Sequence, residues 1–375
     1  MNNKDYKITN INIKGFKSIN SDGQNIPLGA VNILIGANGV GKSNLISFFE
    51  MLKAITLGKF QNYIRANGGA NAVLHYGIKK TNNINVELSL TENKLVRNYK
   101  FNLSYKSDDS LFFTSEEINW IDNSKNSKIN SINNGLLESG FFIDFFEYLA
   151  DETRNSIDFI KLFKSYQFND TSKESKIRNS VYINDGRNLH SDAGNLAAFL
   201  YALKNNISNK KYYDRIVKYI KMAMPQFGDF ELFPSINNEN YIMLNWHEAN
   251  SEYLFGPHQI SDGSLRFMAL TSLLLQPPKT LPSLIILDEP ELGLHPSAIS
   301  LLASMIKIAS QNCQVIIATQ STTLIDEFEA KNIIIVEREN NKSLFKKLNL
   351  KEMEDWLQQY SLSEIWEKNI IGGRP

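Results

Sequence analysis

The sequence predicts an α/β fold with a mixed-sheet lobe, built around a strand-loop-helix unit and interrupted by an inserted helical region. Three observations carry this. An apolar run, Val31 to Ile35, leads into the glycine-rich loop Gly36-Ala-Asn-Gly-Val-Gly41-Lys42-Ser43 and on into a helix-like run, Asn44 to Leu52. A second apolar run, Leu284-Ile-Ile-Leu287, ends in Asp288 and Glu289. Between the two, residues 141–225 pattern as helices, among them Phe141 to Phe163 and Asp192 to Lys204, with Ser191 or Asp192 as an N-cap.

The first of these units is a phosphate-binding P-loop. Its glycines let the backbone fold into a nest whose N–H groups face phosphate oxygens, and the helix N-terminus adds its positive dipole end. At this spacing Lys42 reaches the β- and γ-phosphates and the Ser43 hydroxyl ligates Mg²⁺. A plain glycine-rich turn would need the Lys-Ser pair and both flanking elements by coincidence.

The second unit supplies carboxylates. A buried strand of a parallel α/β sheet presents ligand groups at its C-terminal end, which is where Asp288 and Glu289 fall. Asp288 is placed to hold Mg²⁺, directly or through a water. Glu289, read as pointing the other way across the pleat, is placed to polarise a water attacking a γ-phosphate. Two solvated acids at a strand end are common in isolation; coupled to a P-loop they are not.

Between these units stands Ile260-Ser261-Asp262-Gly263-Ser264-Leu265-Arg266-Phe267, followed by an apolar helical run to Leu275. Alone, this is a helix start with Ser261 as N-cap. In the order P-loop, Ser-x-Gly helix start, Asp-Glu strand 25 residues after Gly263, the chain resembles the ABC-type ATPase heads of the RecF/SMC class. Ile13-Lys-Gly-Phe16-Lys17-Ser18 is similar to the opening strand and turn of those heads. Asp288-Glu-Pro-Glu291-Leu-Gly-Leu-His295-Pro is similar to their acidic strand and the loop after it. With the ending Trp356 to Pro375, the chain resembles stand-alone AAA-family ATPases of this clan over essentially its whole length.

That resemblance implies an ABC-ATPase-type P-loop fold with ATP and Mg²⁺ as its cofactors. It implies nucleotide contacts from Gly36, Asn38, Gly39, Gly41, Lys42, Ser43 and Asn44, metal contacts from Ser43 and Asp288, and water activation by Glu289. It further implies that Ser261 and Gly263 of one subunit cap the γ-phosphate held by the P-loop of another, so that ATP closes a homodimer and hydrolysis opens it. RecF-like heads mostly serve DNA repair, DNA maintenance or defence against foreign DNA, and stand-alone relatives often pair with a nuclease-like protein. The expected output is therefore action on DNA or on a separately encoded effector.

One position departs from the pattern. Where ABC-type heads carry a switch histidine after the next strand, Val315-Ile-Ile-Ala-Thr319 is followed by Gln320. A glutamine can contact the γ-phosphate or orient the water, yet it takes up no proton near neutral pH. Slow hydrolysis tuned for switching is expected, with Gln320 counted beside Glu289 among the catalytic candidates. The alternative is that Gln320 only caps the following helix. A related reading, an ATP-bound clamp holding an effector with negligible hydrolysis, stays open for the same reason.

Composition agrees without adding to this. The 375 residues are 42% hydrophobic, and 40 basic against 40 acidic side chains leave no net charge. A neutral total advertises no nucleic-acid partner, although it can hide a local basic groove. Candidate contacts for such a groove are Arg65, Lys79, Lys80, Arg178, Arg187, Lys210 and Lys211, each of which reads equally as a solvated surface cation. The single cysteine, Cys313, excludes an internal disulfide and reads as a small buried hydrophobe. The five histidines lack metal-ligand spacing, and His295 before Pro296 suits a helix start. With no apolar leader and no run near the roughly 20 apolar residues a spanning helix needs, a soluble, cytoplasmic chain without a membrane partner is expected.

The division expected along the chain is 1–120 for the P-loop and a strand-rich region, 121–225 for an inserted loop and helices, and 226–375 for the signature, the acidic strand and Gln320. Residues 121–135 are polar and turn-rich and read as an exposed loop. Short strands are expected at Phe230 to Phe233 and Tyr241 to Trp246. The helical region lacks sustained apolar heptads, so no long coiled-coil arm is expected and DNA could be gripped only by a groove across paired heads. After Glu337 only residues 338–375 follow, too few for a second α/β unit, so DNA cleavage is expected from another protein. Two other classes share part of the pattern. A transporter motor subunit would need a membrane partner, and the Phe16-Lys17-Ser18 opening with its long strand-rich sequel argues against it; a kinase has no use for a Ser-x-Gly signature in trans.

Overall fold

The computed structural model describes residues 6–92, 95–121, 127–132, 135–143, 158–235 and 238–374. They form two compact units, the first made of Met1–Lys164, Ser283–Ile285 and Glu329–Pro375, the second of Ser165–Pro282 and Ile286–Phe328.

The first unit contains a six-stranded antiparallel sheet, in the order Gln24–Pro27, Tyr6–Lys14, Asn83–Glu92, Leu95–Lys106, Ser110–Ile121, Ser127–Ile132. Period-2 patterning explains it. Ile84, Val86, Leu88 and Leu90 alternate with polar residues and are all buried, as are Tyr99, Phe101 and Leu103 on the neighbouring strand. On the other face the partners Asn85, Asn102 and Ser115 form a cross-strand hydrogen-bonded row, Asn102 Nδ2 donating to Ser115 Oγ at 2.7 Å. Buried Glu116 ties the sheet to the segment beyond it, accepting from Tyr99 Oη (2.7 Å), Ser139 Oγ (2.6 Å) and the Gly140 amide (2.8 Å).

The same unit holds the strand Val31–Ile35, buried throughout, and beside it in parallel Ile333–Glu339, which turns back antiparallel as Lys342–Lys347. The P-loop helix Lys42–Thr56 follows the first of these strands, and a second helix, Phe60–Ala66, packs against it.

Two expectations are corrected here. Within the polar stretch 121–135, residues Ser127–Ile132 form a strand paired to Ser110–Ile121, while 122–126 and 133–134 lie outside the described residues. Polar composition signals a loop only when the backbone lacks a partner, and an edge strand needs little more than backbone pairing. The helix expected from Phe141 to Phe163 is helical over Gly140–Ile143 and again over 158–161 and turns extended over Phe163–Tyr166, with 144–157 outside the described residues.

The second unit carries the helices Leu196–Asn205, Lys210–Ala223, Asp262–Leu275 and Pro296–Ala309. The first of these starts later than expected: its cap position is Asn195, and Ser191 and Asp192 lie in the turn before it. The strand Gln314–Thr319 neighbours Leu284–Asp288 in sheet order, and both are almost wholly buried. The expected strand Tyr241 to Trp246 divides in two, Asn238–Ile242 pairing with Pro234–Ser235 and Val181–Tyr182, and Asn245–Glu248 pairing with Phe227–Glu231 and Leu254–Phe255. The helix Asp262–Leu275 is buried from Leu265 to its end, and its Thr271 and Ser272 hydroxyls donate back to the Phe267 and Met268 carbonyls. No helix among the described residues is long and apolar enough to cross a membrane.

Candidate nucleotide site

The P-loop lies in the first unit. Gly39 and Gly41 have φ of 77° and 120°, which other residues adopt only with strain. Close approach excludes a side chain as well: a Cβ on Gly36 would stand 2.2 Å from the Val336 carbonyl oxygen, and one on Gly41 2.1 Å from Ser343 Oγ. Lys42 is 6% exposed, and its ammonium donates to the carbonyls of Gly36 and, at 2.9 Å, Ala37. The ammonium is therefore held against the loop it would serve. Ser43 stands exposed on the first turn of the helix.

The Phe16-Lys17-Ser18 turn braces this loop from below. Asn44 Nδ2 donates to Ser18 Oγ at 2.7 Å, and Lys17 Nζ donates to Ser47 Oγ at 2.6 Å and Asn67 Oδ1 at 3.2 Å. Burial lowers the Lys17 pKa against the opposing charge of Glu50. A cavity of about 600 Å³ opens here, lined by Lys17, Ser18, Asn44, Asn67, Tyr76 and Arg338. The sequence reading missed the far side of the brace. Ser343, at the start of the last strand, is fully buried, with its hydroxyl 2.6 Å from Ser18 Oγ and bonded to the Val40 carbonyl. Arg338 donates to Tyr76 Oη at 3.0 Å and to the Gly39 carbonyl at 3.4 Å.

The second unit holds the remaining candidates. Asp288 is the half-buried last residue of its strand. Glu289 does not continue the pleat: its φ is 45°, in the left-handed region, and its amide donates to the Ala318 carbonyl at 2.8 Å. The turn, not strand alternation, aims this carboxylate, and the pleat-based reading of its direction is corrected. Gln320 Nε2 donates to Glu289 Oε1 at 3.2 Å, which brings the two catalytic candidates into contact. Gln320 is not the cap of the following helix, because Ser321 is, its hydroxyl accepting from the Leu324 amide at 3.2 Å. Glu291 stands behind them and was not singled out by the sequence. Thr319 Oγ1 donates to its carboxylate, and burial raises its pKa, helped by the charge of Glu289.

Ser261 caps the signature helix as expected, Oγ accepting from the Ser264 amide at 3.2 Å. Gly263 is required by packing, since a Cβ there would lie 2.3 Å from the Gly293 carbonyl oxygen. His295 caps the helix Pro296–Ala309, with Pro296 at its first position. A smaller cavity, about 320 Å³, is lined by Ser261, Gly263, Phe267, Met224, Gly293 and His295. Arg266 ties the signature helix to neighbouring backbone, donating to the carbonyls of Phe168 (3.0 Å), Asn169 (3.3 Å) and Leu292. Of the cations weighed for nucleic acid, Arg65, Lys79, Lys80, Arg187, Lys210 and Lys211 are exposed, whereas Arg178 is buried and is withdrawn as a surface contact.

A buried strand running into a glycine-rich loop and helix is the arrangement of a P-loop ATPase fold, and the second unit separately carries an acidic strand end and a capped Ser-x-Gly helix. Residues 31–326 match the family described as "AAA domain, putative AbiEii toxin, Type IV TA system", and the chain belongs to that family. Among solved structures it is similar to an SMC head bound to the C-terminal winged-helix domain of ScpA, at 14% identity and TM-score 0.56 over 92% of this chain and 99% of that one. It is likewise similar to an SMC head with an extended coiled coil, bound to the C-terminal domain of ScpA from Pyrococcus furiosus, at 13% identity and TM-score 0.57 over 94% and 99%. These likenesses show the fold. A stretch of 74 residues is 38% identical to the Old nuclease of Escherichia phage P2, covering 20% of this chain and 13% of that protein.

Proposed function

We propose that this protein is an ATP-hydrolysing switch that closes as an ATP-sandwich homodimer and opens when the γ-phosphate is lost. The observation that carries the reading is the contact of Gln320 with a left-handed Glu289, a carboxylate aimed by the turn at a strand end and held there by an amide partner. The donor set fits a nucleotide with a hard divalent ion: the Ser43 hydroxyl and the Asp288 carboxylate are oxygen ligands suited to Mg²⁺. Bound there, Mg²⁺ would neutralise charge on the phosphates. Lys42 would exchange the Gly36 and Ala37 carbonyls for phosphate oxygens, and the nest from Gly36 to Asn44, with Asn38 and Gly39 at its tip, would cradle them. Glu289 would orient and deprotonate the attacking water while the Gln320 amide fixes that carboxylate.

In the pairing we infer, Ser261 and Gly263 of the opposite head donate to the γ-phosphate, so nucleotide binding and head pairing strengthen one another reciprocally. The target is DNA or a separately encoded nuclease-like effector, in repair, maintenance or defence. The stretch shared with a phage nuclease and the toxin in the family description support work beside such an effector. A second reading, an ATP-bound clamp with negligible turnover, is favoured by the same Gln320 contact, which occupies the carboxylate and supplies no titrating group. Phosphate release from the purified protein separates the two. The switch predicts slow but measurable turnover lost in Glu289→Gln, whereas no phosphate release above background from either protein would support the clamp.

A further inference from the structure

We propose that Arg178 is the positioning residue of the signature turn, a buried guanidinium that touches no nucleotide and sets the aim of Ser261 and Gly263 in ATP-driven pairing. The inference rests on the sandwich-dimer reading above. Its basis is a convergence of bonds on the residues flanking Ser261. The Arg178 side chain is 5% exposed. Its Nε donates to the Thr171 carbonyl at 2.8 Å, one terminal nitrogen donates to the carbonyls of Ile260 (3.1 Å) and Pro257, and the other donates to Asp262 Oδ1 at 2.6 Å.

These acceptors are not scattered. Pro257–Gln259 is the short 3-10 turn that delivers the chain to the helix, Ile260 immediately precedes the cap, and Asp262 immediately follows it. Ser261 is thus gripped on both sides by one rigid fork, while its own hydroxyl remains at the surface with Ser264. The planar guanidinium fixes the three acceptors around the signature, Pro257, Ile260 and Asp262, relative to one another and to a fourth at Thr171, which an ammonium on a flexible stem does not. A buried cation of this kind is costly to desolvate unless each donor is used. Burial therefore serves to hold the turn that precedes the signature. Asp262 also sits in the first helical turn, where its charge suits the dipole, and with 69% of its side chain exposed its truncation opens no cavity while it removes one acceptor from Arg178. It can be changed without opening the interior.

The test uses the full chain carrying Glu289→Gln, alone and combined with Asp262→Ala, Arg178→Lys or both. Hydrogen exchange without nucleotide and the dimer dissociation constant with ATP and Mg²⁺ are measured for each. We expect Asp262→Ala to speed exchange in residues 257–266 only, to leave ATP affinity of the monomer unchanged, and to weaken dimerisation about tenfold, the scale of one charge-assisted hydrogen bond. Arg178→Lys should act at least as strongly, and little more once Asp262 is already alanine. If the parent dimerises with ATP and Asp262→Ala neither speeds local exchange nor weakens the dimer, Arg178 is only a core cation and the proposal fails while the sandwich survives. If the parent never dimerises, both fall together. Loss of fold in Arg178→Lys would leave the decision to Asp262→Ala.

Discussion

Glu289 is a residue at which local preference and fold disagree, one of nine non-glycine residues at positive φ among those described. A non-glycine residue at φ 45° costs about 1–2 kcal/mol relative to glycine, while glycine loses about 0.4–1 kcal/mol through the freedom it adds to the unfolded chain. The first term wins, so Glu289→Gly should be more stable than Glu289→Ala by about 0.5–1 kcal/mol, the reverse of the usual order, with turnover lost in both. Denaturant midpoints decide it, and an alanine variant equal to or above the glycine variant would remove the strain argument. Gly263 gives the opposite contest. Alanine is favoured in a helix by about 1 kcal/mol, but its Cβ would press on the Gly293 carbonyl oxygen at 2.3 Å. Overpacking of that kind costs about 1–3 kcal/mol, so Gly263→Ala should be destabilised, and a stabilised variant would mean that the loop gives way freely.

The P-loop element depends on the C-terminal hairpin. Ser343→Ala leaves the Val40 carbonyl without its hydroxyl partner and should cost about 1–2 kcal/mol, with ATP affinity falling several-fold; an affinity identical to wild type would show that the brace does not support the loop. Beside the strand Gln314–Thr319, Cys313 is buried, its Sγ bonded to the Ala309 carbonyl at 3.3 Å, and burial pushes the thiol up to about 12. At pH 8 the native thiolate fraction is then on the order of 10⁻⁴. Alkylation should be negligible in the folded protein, stay slow as the pH rises toward 9, and become rapid in urea; fast labelling of the native protein would place Cys313 in a mobile segment. These two cases mark what the sequence could and could not say. Cys313 was legible because an apolar run flanks it and a lone thiol there behaves as a hydrophobe. Ser343 was not, since no local pattern distinguishes a serine that meets residues 18 and 40 from one that faces solvent.

At the scale of the whole chain, the legible parts are those where backbone chemistry demands particular residues: the glycines and Lys-Ser pair of the P-loop, the Ser261 cap and the acidic strand end. The unread parts depend on long-range partners. Arg178 looks like any surface cation until Pro257, Ile260 and Asp262 close on it, and Ser127–Ile132 looks like a loop until the neighbouring edge pairs with it. The direction of Glu289 depends on a turn that strand periodicity does not encode. Lys42→Ala should abolish ATP binding or weaken it severely, since a desolvated phosphate loses its cationic partner; unchanged affinity in calorimetry would contradict the P-loop assignment. The central claim, closure of two heads on ATP, is tested most directly by the mass in solution of Glu289→Gln, measured by light scattering after size exclusion with ATP and Mg²⁺, then with ADP and Mg²⁺. The switch predicts a doubled mass with ATP alone and none of that doubling in Ser261→Arg. The same mass with both nucleotides would contradict it.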